Sequence, residues 1–448
     1  MTRLAAVFVA LTPSVAAPAA DKPNVVVVLM DDFGWADPSC YGNTMVKTPN
    51  MDRLATEGVR FTQGYVASPI CSPSRCGIIT GQFPARWKIT SFLQTKAGNR
   101  ACEMADFLDP KAPSLPRILK HAGYATAHVG KWHLGGGRDV TDAPKFAAYG
   151  YDLGLGTYES PEPAAPLGLK TTPWGPQDRL EPQQVPRHQR TQWMVDQTLN
   201  FVRTNTGKPS FVNLWLDDTH TPFTPSEDQM KSIRTPSEGE QKTRYKAVLA
   251  DADRQIGRLL DGLKGTNTLV LFLGDNGASP PFERERVGGL RGQKLSLYEG
   301  GVRVPFVACW PGVTRGGVVN EKTIIASVDL VPTLAAICGA SLPKDYAPDG
   351  EDMTAAIKGE SPTRTKPLFW EYGRNATSFA YPRDAAHRSP NVAVRDGDWK
   401  LLVNADGTGA ELYNVAGDSR ETTNLSDRHP DVAKQLTEKA LTWRKSVP

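Results

Sequence analysis

Asn24–Met30 reads NVVVVLM: after Asn24 it contains no polar residue, and Asp31 and Asp32 follow it at once. A strand with one wet face alternates apolar and polar side chains, so an unbroken, valine-rich run belongs to a strand covered on both faces. Similar short, mainly apolar runs stand at Tyr124–Val129, Phe211–Leu216 and Thr268–Leu273. Between the last two, Val248, Leu249, Ala252, Ile256, Leu259, Leu260 and Leu263 recur at helical spacing, as the inward face of a crossover helix would. Strands alternating with amphipathic helices predict an α/β fold, a large mixed and mostly parallel sheet sandwiched by helices.

The chain has 448 residues, too many for one small core. Three segments are expected. Residues 1–20 read as an export leader, with Arg3, the apolar Leu4–Leu11 and small residues about Val15–Ala19. Residues 21–360 are expected to form the large domain. Residues 361–448 form a smaller α+β part, with strands at Asn391–Arg395 and Trp399–Asn404 and a helix over Asp431–Arg444. Residues 161–186 carry seven prolines and read as an irregular excursion. The leader directs the protein to the periplasm or outside the cell, and no later run reaches the roughly 20 apolar residues of a membrane span. A net charge of +4 without a basic run gives no nucleic-acid signature. Six cysteines without zinc spacing are too sparse for a disulfide scaffold, although export permits one or two bridges.

Ligands of an open parallel sheet bind beyond the carboxyl ends of its strands. Those ends deliver Asp31 and Asp32, then Lys131 and His133, then Asp217, Asp218 and His220, then Asp275 and Asn276. Crowded carboxylates repel and raise one another's pKa unless a hard cation joins them, so Asp31, Asp32, Asp275 and Asn276 read as a calcium or magnesium site. The segment CSPSRCGIITG, Cys71–Gly81, places a sulfur group before a predicted helix and Arg75 beside it. Helix amides and a guanidinium together make an anion cradle. Cys76 reads as structural and Trp132 as packing.

CSPSR resembles the CxPxR signature of the type I, formylglycine-dependent sulfatases of the alkaline phosphatase superfamily, and Thr80-Gly81 continue the match. Further blocks similar to that family follow in order: DDFGWAD from Asp31, GYATAHVGKWHLG from Gly123, THTP around His220, GDNG from Gly274, LRGQK ending at Lys294 and YEGGVRVPF from Tyr298. SVDLVPTL from Ser327, RDGDWKLL from Arg395 and ELYN from Glu411 extend the resemblance over essentially the whole mature chain.

The resemblance implies that Cys71 is oxidised to formylglycine by a formylglycine-generating or anaerobic sulfatase-maturating enzyme. One hydroxyl of the hydrated aldehyde attacks the sulfur of a sulfate monoester, and the other expels the sulfate. It also implies that calcium is held by Asp31, Asp32, Asp275, Asn276 and the converted Cys71, and that Arg75 orients that residue. Lys131 and Lys294 then neutralise sulfate oxygens, His220 protonates the leaving oxygen and His133 assists turnover of the sulfo-intermediate, although the two histidines could exchange these roles. Asp217 and Asp218 are open between supporting the site and touching substrate. The substrate is expected to be a sulfated saccharide or an aryl sulfate, and a pocket of Trp174, Arg179, Arg187, His188 and Arg190 is a candidate sugar reader. Two alternatives stand beside this reading: a phosphoester hydrolase on the same fold, and a noncatalytic sulfated-glycan binder in which Cys71 stays a thiol.

Overall fold

The computed structural model describes residues 22–136, 140–157, 159–167, 184–235 and 237–448. Its main sheet contains β1 (Asn24–Met30), β2 (Val59–Phe61), β4 (Ala125–Gly130), β5 (Leu153–Gly156), β6 (Ser210–Leu216), β7 (Thr268–Gly274), β8 (Phe306–Cys309) and β9 (Val318–Asn320). The order is β5-β4-β6-β1-β7-β8-β2-β9. The five strands from β5 to β7 run parallel; β8 is antiparallel to both its neighbours. β3 (Gly64–Tyr65) and β10 (Ile325–Ala326) add a short parallel pair.

The alternation along β1 explains its composition. Val25, Val27 and Leu29 enter one core, and Val26, Val28 and Met30 enter the other. Helices Arg190–Thr204 and Glu240–Gly262 cover the second face through Met194, Tyr245, Leu249, Ile256 and Leu259. Helix Cys71–Thr80 lies on the first face with Ile78 and Ile79. Met30 pairs with both Leu216 and Gly274, and Gly130 with Trp215, so four parallel strands end at one level.

Residues after 367 build a four-stranded antiparallel sheet, β11 (Leu368–Glu371), β12 (Val392–Asp396), β13 (Trp399–Val403) and β14 (Glu411–Asn414), backed by helix Pro430–Ser446. Trp443 of that helix stacks on Phe369 at 5.0 Å, and Trp370 Nε1 donates to Val66 O at 2.7 Å, joining this sheet to the larger core. All six cysteines are free, so the structure uses none of the disulfides that export would permit. Among the described residues no helix is long and apolar enough to cross a membrane. The leader, Trp174 and Arg179 lie outside the described residues.

A buried charge cluster also ties the two sheets together. Lys400 of β13 reaches Glu299 Oε1 at 2.9 Å and Glu421 Oε1 at 3.0 Å, while Tyr65 Oη donates to Glu299 Oε2 at 2.6 Å. Burial raises both carboxyls; Lys400, Arg303 and Arg395 outweigh it at Glu299, whereas at Glu421 the neighbouring Glu299 charge adds to it and the group stays raised, at about 7. A raised carboxyl binds more protons folded than unfolded, so its contribution declines as pH climbs from the ordinary carboxyl range through 7. Glu421→Gln is therefore expected to remove that decline and leave stability near neutral pH within about 1 kcal/mol. Glu299→Gln leaves Lys400 with Glu421 alone and Arg303 without its carboxylate, and is expected to cost about 3 kcal/mol. Thermal unfolding of both variants across pH checks this; equal losses would contradict it.

Candidate active site

The turn after β1 is fixed from three sides. Asp31 N donates to Leu216 O at 3.1 Å, and Asp275 N to Met30 O at 2.9 Å. Asp32 has a φ of 52°, a left-handed conformation that aspartate tolerates better than most side chains. Its amide donates to Asp275 Oδ1 at 2.9 Å, and its carbonyl accepts from Arg286, whose guanidinium also clamps Asp37.

Three buried ion pairs surround this turn. Lys131 Nζ lies 2.7 Å from Asp31 Oδ2, Lys294 Nζ 2.6 Å from Asp32 Oδ1, and Arg75 Nη2 2.7 Å from Asp275 Oδ2. Arg75 is fully buried, donates to Lys131 O at 2.8 Å and lies over the Trp215 ring. Its Nη2 is 3.4 Å from Asp31 Oδ1, close enough for charge but not a hydrogen bond. Cys71 opens the helix that carries Arg75, and its preceding residue, Ile70, offers no side-chain cap. The helix therefore presents its positive end at residue 71.

Burial raises the Asp31 carboxyl, but Lys131 foremost, with His220 and Arg75, holds it well below the usual range. Lys294 and His220 likewise overcome burial at Asp32 and bring it to about 2. At Asp275, burial and the Asp31 charge prevail, raising it to about 7. Burial pushes the Cys71 thiol up to about 12 against the pull of Lys131 and Lys294. Residue 71 is thus a neutral thiol at neutral pH, a poor nucleophile in a place built for an anion.

His133 Nε2 meets Leu93 O at 3.1 Å, which requires the proton on that nitrogen, and Nδ1 faces Glu159 Oε2 at 3.4 Å. Burial lowers this ring to about 4, with Glu159 opposing, so it is a neutral base. His220 Nδ1 meets Thr221 O at 2.7 Å, and Nε2 lies 3.7 Å from Asp32 Oδ2. Burial and Lys131 lower the His220 pKa, while Asp32 works to keep its proton.

Cation fit can be judged from the donors. Asp31, Asp32, Cys71 and His220 offer ligand atoms all within 4.8 Å of one another. Asn276 Nδ2 donates to Asp32 Oδ1 at 2.9 Å, and among the described residues its buried Oδ1 accepts no hydrogen bond. The two carboxylates and the Asn276 amide supply the hard oxygens that calcium prefers, beside the Cys71 thiol and the His220 ring, and a divalent cation would relieve the repulsion that helps raise Asp275. The thiol of Cys71 stands where an oxidised side chain would present oxygen.

Sequence reasoning missed Glu159, which lies 3.6 Å from Lys131 Nζ as well as beside His133. It follows β5, whose LGLG sequence carries no strong strand signal; applying the strand-end rule there would have found it. Thr219 Oγ1, donating to Asp31 O at 2.5 Å, was missed too. Trp132 packs as expected, fully buried against His128 and Trp215. Two residues of the expected sugar reader are committed elsewhere. Arg190 Nη1 lies 2.5 Å from Asp217 Oδ2, and Arg187 donates to the carbonyls of Asp217 and His220 at 3.2 and 3.3 Å. Asp217 therefore anchors these arginines, and Asp218 accepts from Thr191. Asp32, His220 and Lys294 instead open on a cleft of about 540 Å³, walled by Pro280, Tyr381 and Arg383.

Residues 23–340 match the family described as Sulfatase, and residues 292–446 match N-sulphoglucosamine sulphohydrolase, C-terminal. An N-acetylgalactosamine-6-O-sulfatase of Bacteroides thetaiotaomicron is 28% identical over 93% of this chain and 92% of that protein. The N-acetylgalactosamine-6-sulfatase of Homo sapiens is 31% identical over 82% of this chain and 72% of its own length. The crystal structure of Ps i-CgsB in complex with k-i-k-neocarrahexaose superposes with a TM-score of 0.75 at 26% identity, covering 95% of this chain and 93% of that one. A mostly parallel sheet whose strand ends gather paired acids and cations around a helix N-terminus places the chain among the hydrolases of the alkaline phosphatase superfamily. Within that class it belongs to the sulfatase family and is a sulfuric ester hydrolase.

Proposed function

We propose that this sulfatase is exported, removes sulfate from a sulfated saccharide, and uses formylglycine formed from Cys71 by a maturating enzyme together with a calcium ion. The observation that carries the reading is the meeting of three buried carboxylate–cation pairs at the Cys71 helix start. The relatives named above act on N-acetylgalactosamine sulfate by their names, which supports a carbohydrate substrate.

Asp31, Asp32, Asp275 and Asn276 would hold the calcium, which supplies positive charge to a sulfate oxygen and to the oxygen of residue 71. Hydrated formylglycine supplies two hydroxyls on one carbon, one to attack sulfur and one to expel sulfate. Arg75, tied to Asp275 and Lys131 O, fixes the helix start from which residue 71 projects. Lys131 and Lys294 neutralise sulfate oxygens in a largely dry pocket, where charge acts strongly. His220, whose Nδ1 proton is held by Thr221 O, carries a second proton at Nε2 only as the imidazolium that Asp32 stabilises, and in that form passes it to the leaving oxygen. His133 receives a proton at Nδ1, and Glu159 stabilises the resulting imidazolium.

Peptide mass spectrometry of protein from its native host is expected to show residue 71 about 18 Da lighter than cysteine, the mass change of conversion to the aldehyde. The same material is expected to release sulfate from at least one member of a panel of defined sulfated saccharides. An unmodified thiol with no sulfate release would favour the noncatalytic binder; phosphate release in place of sulfate release would favour the phosphoesterase.

A further inference from the structure

The segment between β11 and β12 leaves the small sheet and lies over residues 291–297 of the catalytic part. Its conformation is fixed at many points. Tyr372 Oη donates to Ala380 O at 2.6 Å, Tyr381 Oη to Asn375 O at 2.7 Å, and Arg388 Nε to Pro382 O at 2.8 Å. Across the gap, Gly292 N donates to His387 Nδ1 at 3.2 Å and Leu297 N to Ser389 Oγ at 2.9 Å. Pro382 is buried. The backbone on either side of Arg383 is therefore held, and Arg383 lines the same cleft as Asp32, His220 and Lys294.

The charges of that cleft are unevenly matched. Among the described residues that line it Asp32 is the one acid, and it is paired with Lys294. The next residue along the segment, Asp384, accepts the Ala386 amide at 2.9 Å. Among the described residues the exposed Arg383 guanidinium has neither a hydrogen-bond nor an ion-pair partner. A guanidinium on an anchored segment presents a fixed fork of donors, which matches the oxygens of a carboxylate or sulfate two at a time. A cleft of about 540 Å³ is within the roughly 300–1,000 Å³ range of sites that enclose sugar-sized ligands.

We infer that Arg383 is a second anion-binding point at the mouth of this cleft, and that the substrate is an acidic saccharide carrying a carboxylate or another sulfate besides the sulfate that is cleaved. The inference rests on the sulfatase reading above. Binding at Arg383 acts on substrate capture, since the scissile group is gripped by other side chains.

The test uses full-length protein with residue 71 converted, as parent, Arg383→Gln and Arg383→Lys. The substrates are a sulfated saccharide bearing a carboxylate, the same saccharide with that carboxyl reduced to an alcohol, and a counterpart bearing a second sulfate. The parent is expected to prefer one or both doubly anionic substrates in kcat/KM, and which of them it prefers identifies the anion. Arg383→Gln is expected to lose about 10- to 100-fold on the preferred substrate, mostly through KM, and no more than about 3-fold on the carboxyl-reduced one. Arg383→Lys should recover part of the loss, because it keeps the charge but not the fork. Equal turnover of all three substrates by the parent, or equal losses on all three in Arg383→Gln, would overturn the inference and leave the sulfatase reading standing. Release of no sulfate from any substrate by fully converted parent would overturn both.

Discussion

Cys71→Ser is expected to turn the protein from a catalyst into an acceptor of a single sulfate. Serine at the start of this helix keeps an oxygen where the positive helix end, Lys131 and Lys294 favour charge. It can attack sulfur once, but it has no second hydroxyl whose ionisation expels the sulfate. Multiple turnover is expected to fall by at least about 10⁴-fold, the scale seen when a nucleophile is lost. Intact mass after incubation with substrate should rise by about 80 Da, one SO₃, through the nucleophilic step alone. Cys71→Ala should lose activity equally but gain no mass. Position 71 is buried and both replacements are smaller than cysteine or its equal, so thermal stability should move by no more than about 1–2 kcal/mol. Steady turnover by Cys71→Ser at a rate near that of the parent would show that residue 71 is not the nucleophile.

Asp31→Asn is expected to remove both activity and a large part of the stability. Asp31 has no exposure, and its carboxylate balances Lys131 at 2.7 Å and Arg75 at 3.4 Å. Removing one partner from a buried charge cluster costs about 3–5 kcal/mol, because Lys131 is left with only the more distant Glu159 at 3.6 Å and Arg75 with Asp275 alone, in a place that water does not reach. The proposed cation loses a ligand in the same stroke. Sulfate release should drop by about 10³-fold or more, the scale of a lost electrostatic contribution in a dry site. In the parent, chelation followed by added calcium should remove and restore activity reversibly. In Asp31→Asn added calcium should restore little. A variant that keeps its parent's stability and calcium response would show that Asp31 neither balances the cluster nor holds the ion.

The central strands were legible because their composition has one physical cause. β1 alternates between two cores, so every side chain after Asn24 must be apolar, and the chain turns polar only where it leaves the sheet. Parallel register then carries Asp31, Lys131, His220 and Asp275 to one rim without further information. The edges were less legible. LGLG of β5 and VRF of β2 are short, with glycine or charge among their residues, and gain their pairing from neighbours far away in the chain.

Partner choice among charged groups was not legible at all. Arg187 and Arg190 look like sugar contacts in the sequence, but Asp217, some 30 residues on, neutralises them. Glu159 gave no signal because the strand before it was not seen. The segment bearing Arg383 reaches the cleft only because its ends are fixed to Gly292 and Tyr372, contacts that no periodicity encodes.

The most direct test of the account is a crystal structure of native-host protein grown with calcium. The expected result is one cation within about 2.3–2.6 Å of oxygens from Asp31, Asp32, Asp275 and Asn276, the usual calcium–oxygen range, with an oxygen of converted residue 71 completing the shell. A cation bound elsewhere, or an unmodified thiol at residue 71 in material that releases sulfate, would contradict it.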